Sequence, residues 1–379
     1  MSELTTLPEV GPFREVVIDL PALRANVAHL RSQMGVAHTM VVVKANAYGH
    51  GMVRCAQAAL EAGADWLGVA DIGEALRLRD AGVTAPILAW LHAPAEDFVS
   101  AVAADVTVGI TSSAKLEAVA KAGAAYGSPA RVHLKLDTGL SRNGFAPEEW
   151  SNVFARAGEL EASGAITVEG IFSHLSNTSE ADDNAQQVEF EHGVTLAREA
   201  GLTPEILHLA SSLTAMTNPS MRYDMVRIGI AAYGLSPQDD RTSQSWGLRP
   251  VMTVRARVTA VRRVPAGTGV SYDYTYRTAK ESTLALVPIG YGEGVPRTAS
   301  DTAPVEINGE RYRISGRVAM DQFLVDVGDA PLALGDEVVL FGDPLRGEPS
   351  AADWAVACGT IAYDIVTGIG GRLTPVFVE

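Results

Sequence analysis

Only two of the 379 residues are cysteine, Cys55 and Cys358, and they lie far apart in no metal-binding pattern. That excludes a disulfide framework and a cysteine zinc module, and leads us to expect two buried thiols in a cytoplasmic protein. The eight histidines include no H-x-x-x-H pair, so no metal centre is expected. No apolar run approaches about 20 residues, and no membrane-spanning helix is expected. The opening MSELTTLPEVGPF has neither a basic stretch nor a long apolar one. It reads as a short disordered leader over residues 1–12, not a signal peptide. Positive charge is scarce: 30 Lys and Arg stand against 45 Asp and Glu, a formal net charge of −15. Such a surface repels phosphate backbones, so nucleic acid is not an expected partner, and any anion site must be built locally against the field. No tandem repeat or low-complexity tract is evident, and no G-x-G-x-x-G follows the first strand-like segment.

What is present is ordinary globular composition, 47% apolar and 20% charged, on a length that suits two domains or a large barrel with an appendage. In DLPALRANVAHLRSQM, Leu20, Leu23, Val27, Leu30 and Met34 form one helical stripe, with Asp19 as N-cap and Pro21 in the first turn. Eight short apolar segments follow in order: Met40–Lys44, Trp66–Ala70, Pro86–Leu91, Val106–Ile110, Arg131–Leu136, Val168–His174, Ile206–Leu209 and Met225–Ile228. Amphipathic stretches separate them, clearest at Ile72–Asp80, Lys115–Ala125, Glu148–Ala162 and Asn184–Ala200, and glycines often close these. The alternation predicts an α/β fold with an N-terminal (β/α)8 TIM-like barrel over residues 13–240. An open doubly wound sheet competes, but it would favour the missing glycine motif.

Beyond the polar DDRTSQSWG the segments turn β-rich, and Asn308-Gly309 sits between alternating residues as a hairpin signal. We expect a mainly β C-terminal domain over residues 245–379, with a last helix beginning near SAADWAVACG.

If the barrel is right, chemistry collects at the carboxyl ends of its strands. Lys44 ends the first, Lys135 the fifth with Arg142 close behind, and His174 the sixth; His208 and Ser212 follow the seventh, Arg227 and Gly229 the eighth. Singly each has a bland reading: Lys44 as a snorkelling stem, His208 as a core histidine, Arg142 as a solvated charge. Together they suit carbonyl chemistry at an amine beside a phosphate cradle. That points to pyridoxal phosphate or to a sugar-phosphate aldolase.

VVKANAYGHG, KLDTGLSRNGF, MVRIGIAAYGLSP, GVSY, PIGYGEG, AMDQF and TIAYDIVT, spread from about Glu15 to Phe377, resemble the alanine racemase family, pyridoxal 5'-phosphate enzymes with a barrel and a C-terminal β domain. The resemblance implies an isomerase that interconverts L- and D-alanine, supplying D-alanine for peptidoglycan. It implies a cytoplasmic homodimer whose active sites are shared between subunits. Lys44 then matches the cofactor lysine and Tyr272 the catalytic tyrosine lent by the other subunit. They would exchange the α-proton on the D- and L-faces respectively. Tyr48, Ser212, Gly229, Ile230 and Tyr363 would hold the phosphate. Arg227 would face the pyridine nitrogen, and Arg142 would reach the phenolic oxygen and the substrate carboxylate. Met320 would offer its N–H to that carboxylate, with Tyr291 and Asp321 at the entrance. Lys135 matches a position often carbamylated. A free tyrosine titrates near 10, so a tyrosine base needs nearby positive charge; a chain of His174, Arg227 and His208 would supply it.

Three positions depart from the family's commoner residues: Ala319 for cysteine, Asp273 for glycine and Ser211 for asparagine. Asp273 is expected to face solvent. The alternatives kept open are a broad-specificity racemase, a barrel-fold decarboxylase and a non-catalytic pyridoxal phosphate-binding protein resembling the barrel alone.

Overall fold

The computed structural model describes residues 12–379; the leader expected over residues 1–12 falls almost wholly outside them. Strand β1, Arg14–Asp19, leads into helix α1, Leu20–Met34. Asp19 caps α1 by accepting the Ala22 N–H at 2.8 Å, Gly35 ends it at φ 63°, and the apolar stripe Leu20, Leu23, Val27, Leu30 and Met34 is buried.

Eight strands then build the barrel: β2 His38–Val42, β3 Trp66–Val69, β4 Ile87–Ala89, β5 Thr107–Ile110, β6 Ala130–Lys135, β7 Ile166–Phe172, β8 Ile206–His208 and β9 Met225–Ile228. Each overlaps a segment expected from the sequence. They pair in parallel in the order β8-β7-β6-β5-β4-β3-β2-β9. The ring closes between β8 and β9 through a Ser211–Arg227 bridge and the Asp224 N–H donated to Leu207 O at 3.1 Å. Burial on both faces explains the continuous apolar runs. The amphipathic stretches form helices between the strands. One starts at Glu180, a turn earlier than read, because Ser179 caps it.

The second domain begins with β10, Met252–Arg257. A six-stranded sheet places Glu310–Arg313, Pro304–Ile307, Glu337–Phe341, β10, β1 and Thr374–Val378 side by side. The expectation of a barrel starting at residue 13 is therefore corrected: β1 pairs antiparallel with β10 and parallel with Thr374–Val378. A strand whose partners lie more than 200 residues downstream carries no local sign of its sheet. Asn308 and Gly309 form the expected hairpin turn, at φ 53° and 85°. The helix expected near SAADWAVACG is Ala351–Cys358, capped by Ser350, but it is not the last: a further helix, Ala362–Gly368, follows. A short antiparallel pair, Gly269–Val270 with Tyr276–Arg277, carries Tyr272 on its turn. Among the described residues, no helix is long and apolar enough to cross a membrane.

Candidate active site

Lys44 leaves β2 at the carboxyl rim, and the chain then makes a left-handed turn: φ is 52°, 54°, 56° and 53° at Ala45, Asn46, Ala47 and Tyr48. Each non-glycine residue there costs about 1–2 kcal/mol, so the turn needs outside support. Buried Glu74 supplies it, accepting the Ala45 N–H at 2.7 Å and the Ala70 N–H at 2.8 Å. Asn46 Oδ1 accepts the Met52 N–H at 3.0 Å. The turn carries the Tyr48 hydroxyl across to β9, where a Cβ on Gly229 would stand 2.6 Å from it.

A cavity of about 250 Å³ opens at this rim. Lys44, Tyr48, Lys135, Arg142, His174, Ser212, Arg227, Gly229, Ile230 and Tyr363 line it. No aspartate or glutamate does. In a chain of net charge −15, four cations without a carboxylate among the lining residues form an anion site. Burial, and then Arg142, lowers the Lys44 ammonium below its ordinary range, raising the share of free amine. Burial and the guanidiniums of Arg142 and Arg227 bring Lys135 down to about 8. Its amine donates to Asn143 Oδ1.

Arg227 is anchored from behind. Its Nη1 donates to His208 Nδ1 and His208 O, each at 3.0 Å. Its Nη2 donates to Ser173 O at 2.8 Å, Leu209 O at 2.9 Å and His174 Nδ1 at 3.1 Å. Nε–H is the donor left for the cavity. Because arginine only donates, His174 Nδ1 accepts, and the neutral ring carries its proton on Nε2. Burial, then Arg227, Arg142 and the two lysines, holds His174 neutral, down to about 2. The chain of His174, Arg227 and His208 expected from the sequence is thus present.

Tyr272, Tyr291, Met320 and Asp321 do not line the cavity. They lie on the second domain, where Tyr272 is 66%, Met320 55% and Tyr291 45% exposed. The Tyr291 N–H donates to Ala319 O at 3.1 Å, and Asp321 pairs with Arg372 at 2.6 Å. Asp273 faces outward as expected, its carboxylate 3.4 Å from Arg317 Nε and its φ at 61°, a backbone that favours the family's glycine. Ser211 lines the cavity.

Sequence reasoning missed Trp90 and Phe172, which also line it. Lys44 Nζ lies 6.0 Å from the Trp90 ring centroid. Gly68 makes room for that indole, since a Cβ there would come within 2.8 Å of it. Both residues sit at strand carboxyl ends, the signal that could have found them.

A barrel with a lysine ending its first strand, a glycine-backed hydroxyl cluster at its last, and a β domain behind it defines a pyridoxal phosphate-dependent enzyme class. Residues 18–237 match the family model for the alanine racemase N-terminal domain, and residues 251–377 that for its C-terminal domain. The chain is 49% identical over 364 residues to the alanine racemase of Salinispora arenicola, covering 95% of this chain and 97% of that protein. It is 46% identical to that of Mycolicibacterium smegmatis, with 100% and 98% covered. Crystal structures of alanine racemases from Streptomyces lavendulae and Streptomyces coelicolor superpose with TM-scores of 0.96 and 0.95. Their identities are 44% and 45%, covering 98% and 97% of this chain and 98% of each structure. The chain belongs to the alanine racemase family. The C-terminal match sets aside the reading as a barrel-only cofactor carrier.

Proposed function

We propose that this enzyme interconverts L- and D-alanine with pyridoxal phosphate, in a cytoplasmic homodimer that supplies D-alanine for peptidoglycan. The observation that carries the reading is the set of four cations, with no carboxylate, among the residues lining the cavity at Lys44, which suits a phosphate and a carboxylate together. The residues fit the cofactor. The hydroxyls of Tyr48, Ser212 and Tyr363 and the N–H groups of Gly229 and Ile230 would hold its phosphate. The missing Cβ at Gly229 keeps that cradle open. Lys44 would hold the cofactor covalently, and Nε–H of Arg227 would face the ring nitrogen. Arginine there donates and keeps its own proton, which limits charge drawn into the ring.

When bound, the cofactor acts as an electron sink that acidifies the substrate Cα–H. Everything else falls to the chain's own side chains. Arg142 would hold the substrate carboxylate, helped by the Met320 N–H of the partner subunit, and a carbamate on Lys135 would orient Arg142. Lys44 moves the proton on the D-face. Tyr272 of the partner subunit moves it on the L-face. Its exposure in the single chain suits a residue that completes a neighbour's site. His174, protonated on Nε2, would donate to the phenolate, and Arg227 behind it supplies the positive charge. Tyr291 and Asp321 would guard the entrance. The unpaired Cys55 and Cys358 suit a reducing compartment.

The test is polarimetric conversion of L-alanine by cofactor-loaded enzyme, run beside serine and lysine. Alanine turning over at least about tenfold faster in kcat/KM, a gap of about 1.4 kcal/mol, supports the reading. Equal rates would favour a broad-specificity racemase, and release of carbon dioxide a decarboxylase.

A further inference from the structure

The barrel interior beneath the site is not wholly apolar. Arg227, His208 and His133 are buried one behind another, and no carboxylate pairs directly with Arg227 among the described residues. The direction of their hydrogen bonds can be worked out. Arginine only donates, so His208 Nδ1, 3.0 Å from Arg227 Nη1, accepts. A neutral His208 then carries its proton on Nε2. That atom lies 2.8 Å from His133 Nδ1 and donates to it. His133 must therefore be protonated on Nε2. This last N–H is buried and has no hydrogen-bond partner. A carboxylate oxygen faces it, Glu169 Oε2, at 4.0 Å.

The surroundings hold this arrangement in place. Phe172 stacks on His208 at 4.8 Å and 6°. Gly170 leaves space for His133, since a Cβ there would come within 2.8 Å of its ring. Glu169 is gripped at the partly exposed base of the barrel, by Arg131 Nε at 2.6 Å and Thr107 Oγ1 at 3.2 Å. Arg131 in turn pairs with Asp105. Burial first, with nearby arginines, keeps both imidazoles neutral, His133 down to about 3. Buried polar groups are costly unless wired together. A barrel layer usually filled by branched apolar residues is given to this wire instead.

We propose that His133 and Glu169 are positioning residues for the reaction. They complete a one-way chain that runs through the barrel and fixes the guanidinium facing the cofactor ring: hydrogen bonds link Arg227 to His208 to His133, and the last N–H faces the Glu169 carboxylate at 4.0 Å. At 4.0 Å the Glu169 carboxylate acts on that N–H through its charge rather than through a hydrogen bond. Each N–H points away from the site, so the terminal carboxylate lends negative charge to Arg227 without entering the cation-lined cavity. The proposal rests on the pyridoxal phosphate reading only for what Arg227 faces.

The experiment is solid-state 15N NMR of histidine-labelled enzyme, with and without cofactor, His133 being assigned from its loss in a variant. Both rings are expected neutral and protonated on Nε2 in both forms. His133→Gln keeps an acceptor and a donor, whereas His133→Phe keeps neither. The Phe variant should lose about tenfold in kcat, equivalent to about 1.4 kcal/mol, with KM for alanine within about twofold, and the Gln variant should lose less than about threefold. Glu169→Gln should shift the 15N signals of both rings. A proton found on Nδ1 of either ring in wild-type enzyme overturns the proposal, whether or not the variants fold. So does equal activity of the Phe and Gln variants, or unmoved signals in Glu169→Gln. The NMR on cofactor-free enzyme stands even if alanine proves not to be the substrate.

Discussion

Lys135 tests how far the cavity's charge shapes its chemistry. With its ammonium brought down to about 8 by burial, Arg142 and Arg227, roughly one amine in ten is neutral at pH 7. A lysine at the ordinary 10.5 has about one in 3,000. Carbon dioxide adds only to the neutral amine: the nitrogen forms a bond to carbon and releases a proton to solvent. The structure therefore offers roughly 300-fold more nucleophile than a surface lysine. The carbamate so formed is an anion beside guanidiniums, which stabilise it. Enzyme equilibrated with 13C-bicarbonate should show one slowly exchanging carbamate carbon that Lys135→Ala lacks. Stripping carbon dioxide should raise KM for alanine about three- to tenfold, equivalent to about 0.7–1.4 kcal/mol, through a less well-oriented Arg142. A wild-type spectrum identical to that of Lys135→Ala, with KM unmoved by carbon dioxide, would refute the reasoning.

Other outcomes follow from the same structure. Gly229→Ala would put a Cβ 2.6 Å from the buried Tyr48 hydroxyl; cofactor affinity, read by absorbance titration, should fall at least about tenfold, or 1.4 kcal/mol. Asn26→Ala should destabilise the protein by roughly 2–5 kcal/mol in urea unfolding. It removes bonds at 2.8, 3.1 and 2.9 Å to Arg249 O, Ala232 O and the Arg249 N–H, which clamp α1 to the end of the barrel. Acid should be strongly destabilising. His50 and His92 are lowered by burial from 6.5 to about 4, His133 to about 3, and His208 is lowered too. The unfolded chain binds these protons first, so stability is full above 6.5 and falls as pH drops toward 4. Each histidine contributes up to about 1.4 kcal/mol per pH unit, and a flat stability profile between pH 7 and 5 would contradict this.

Much of the barrel was legible because its strands are buried on both faces, which leaves uninterrupted apolar runs between amphipathic helices. Polar residues at their carboxyl ends, Lys44, His174 and Arg227 among them, located the site. Other features leave no local trace. Nothing in Arg14–Asp19 marks a strand of the distant sheet. The left-handed turn at Ala-Asn-Ala-Tyr is supported by Glu74 from the neighbouring helix Ile72–Asp80 rather than by glycine. Trp90 reads as one more apolar residue, and the pairing of His133 with His208 needs β6 and β8 on either side of β7. Tyr272 and Met320 stood out only through the family resemblance, since nothing within one chain brings them to Lys44.

The central claim is that two bases from two chains flank one substrate. Mixing Lys44→Ala subunits with Tyr272→Phe subunits tests it most directly. Neither variant alone should racemise alanine. In a randomly exchanged mixture about half the dimers are mixed, and each keeps one intact site of two, so activity should return to about one quarter of wild type. No recovery, with mixed dimers demonstrated by differential tags, would contradict the account.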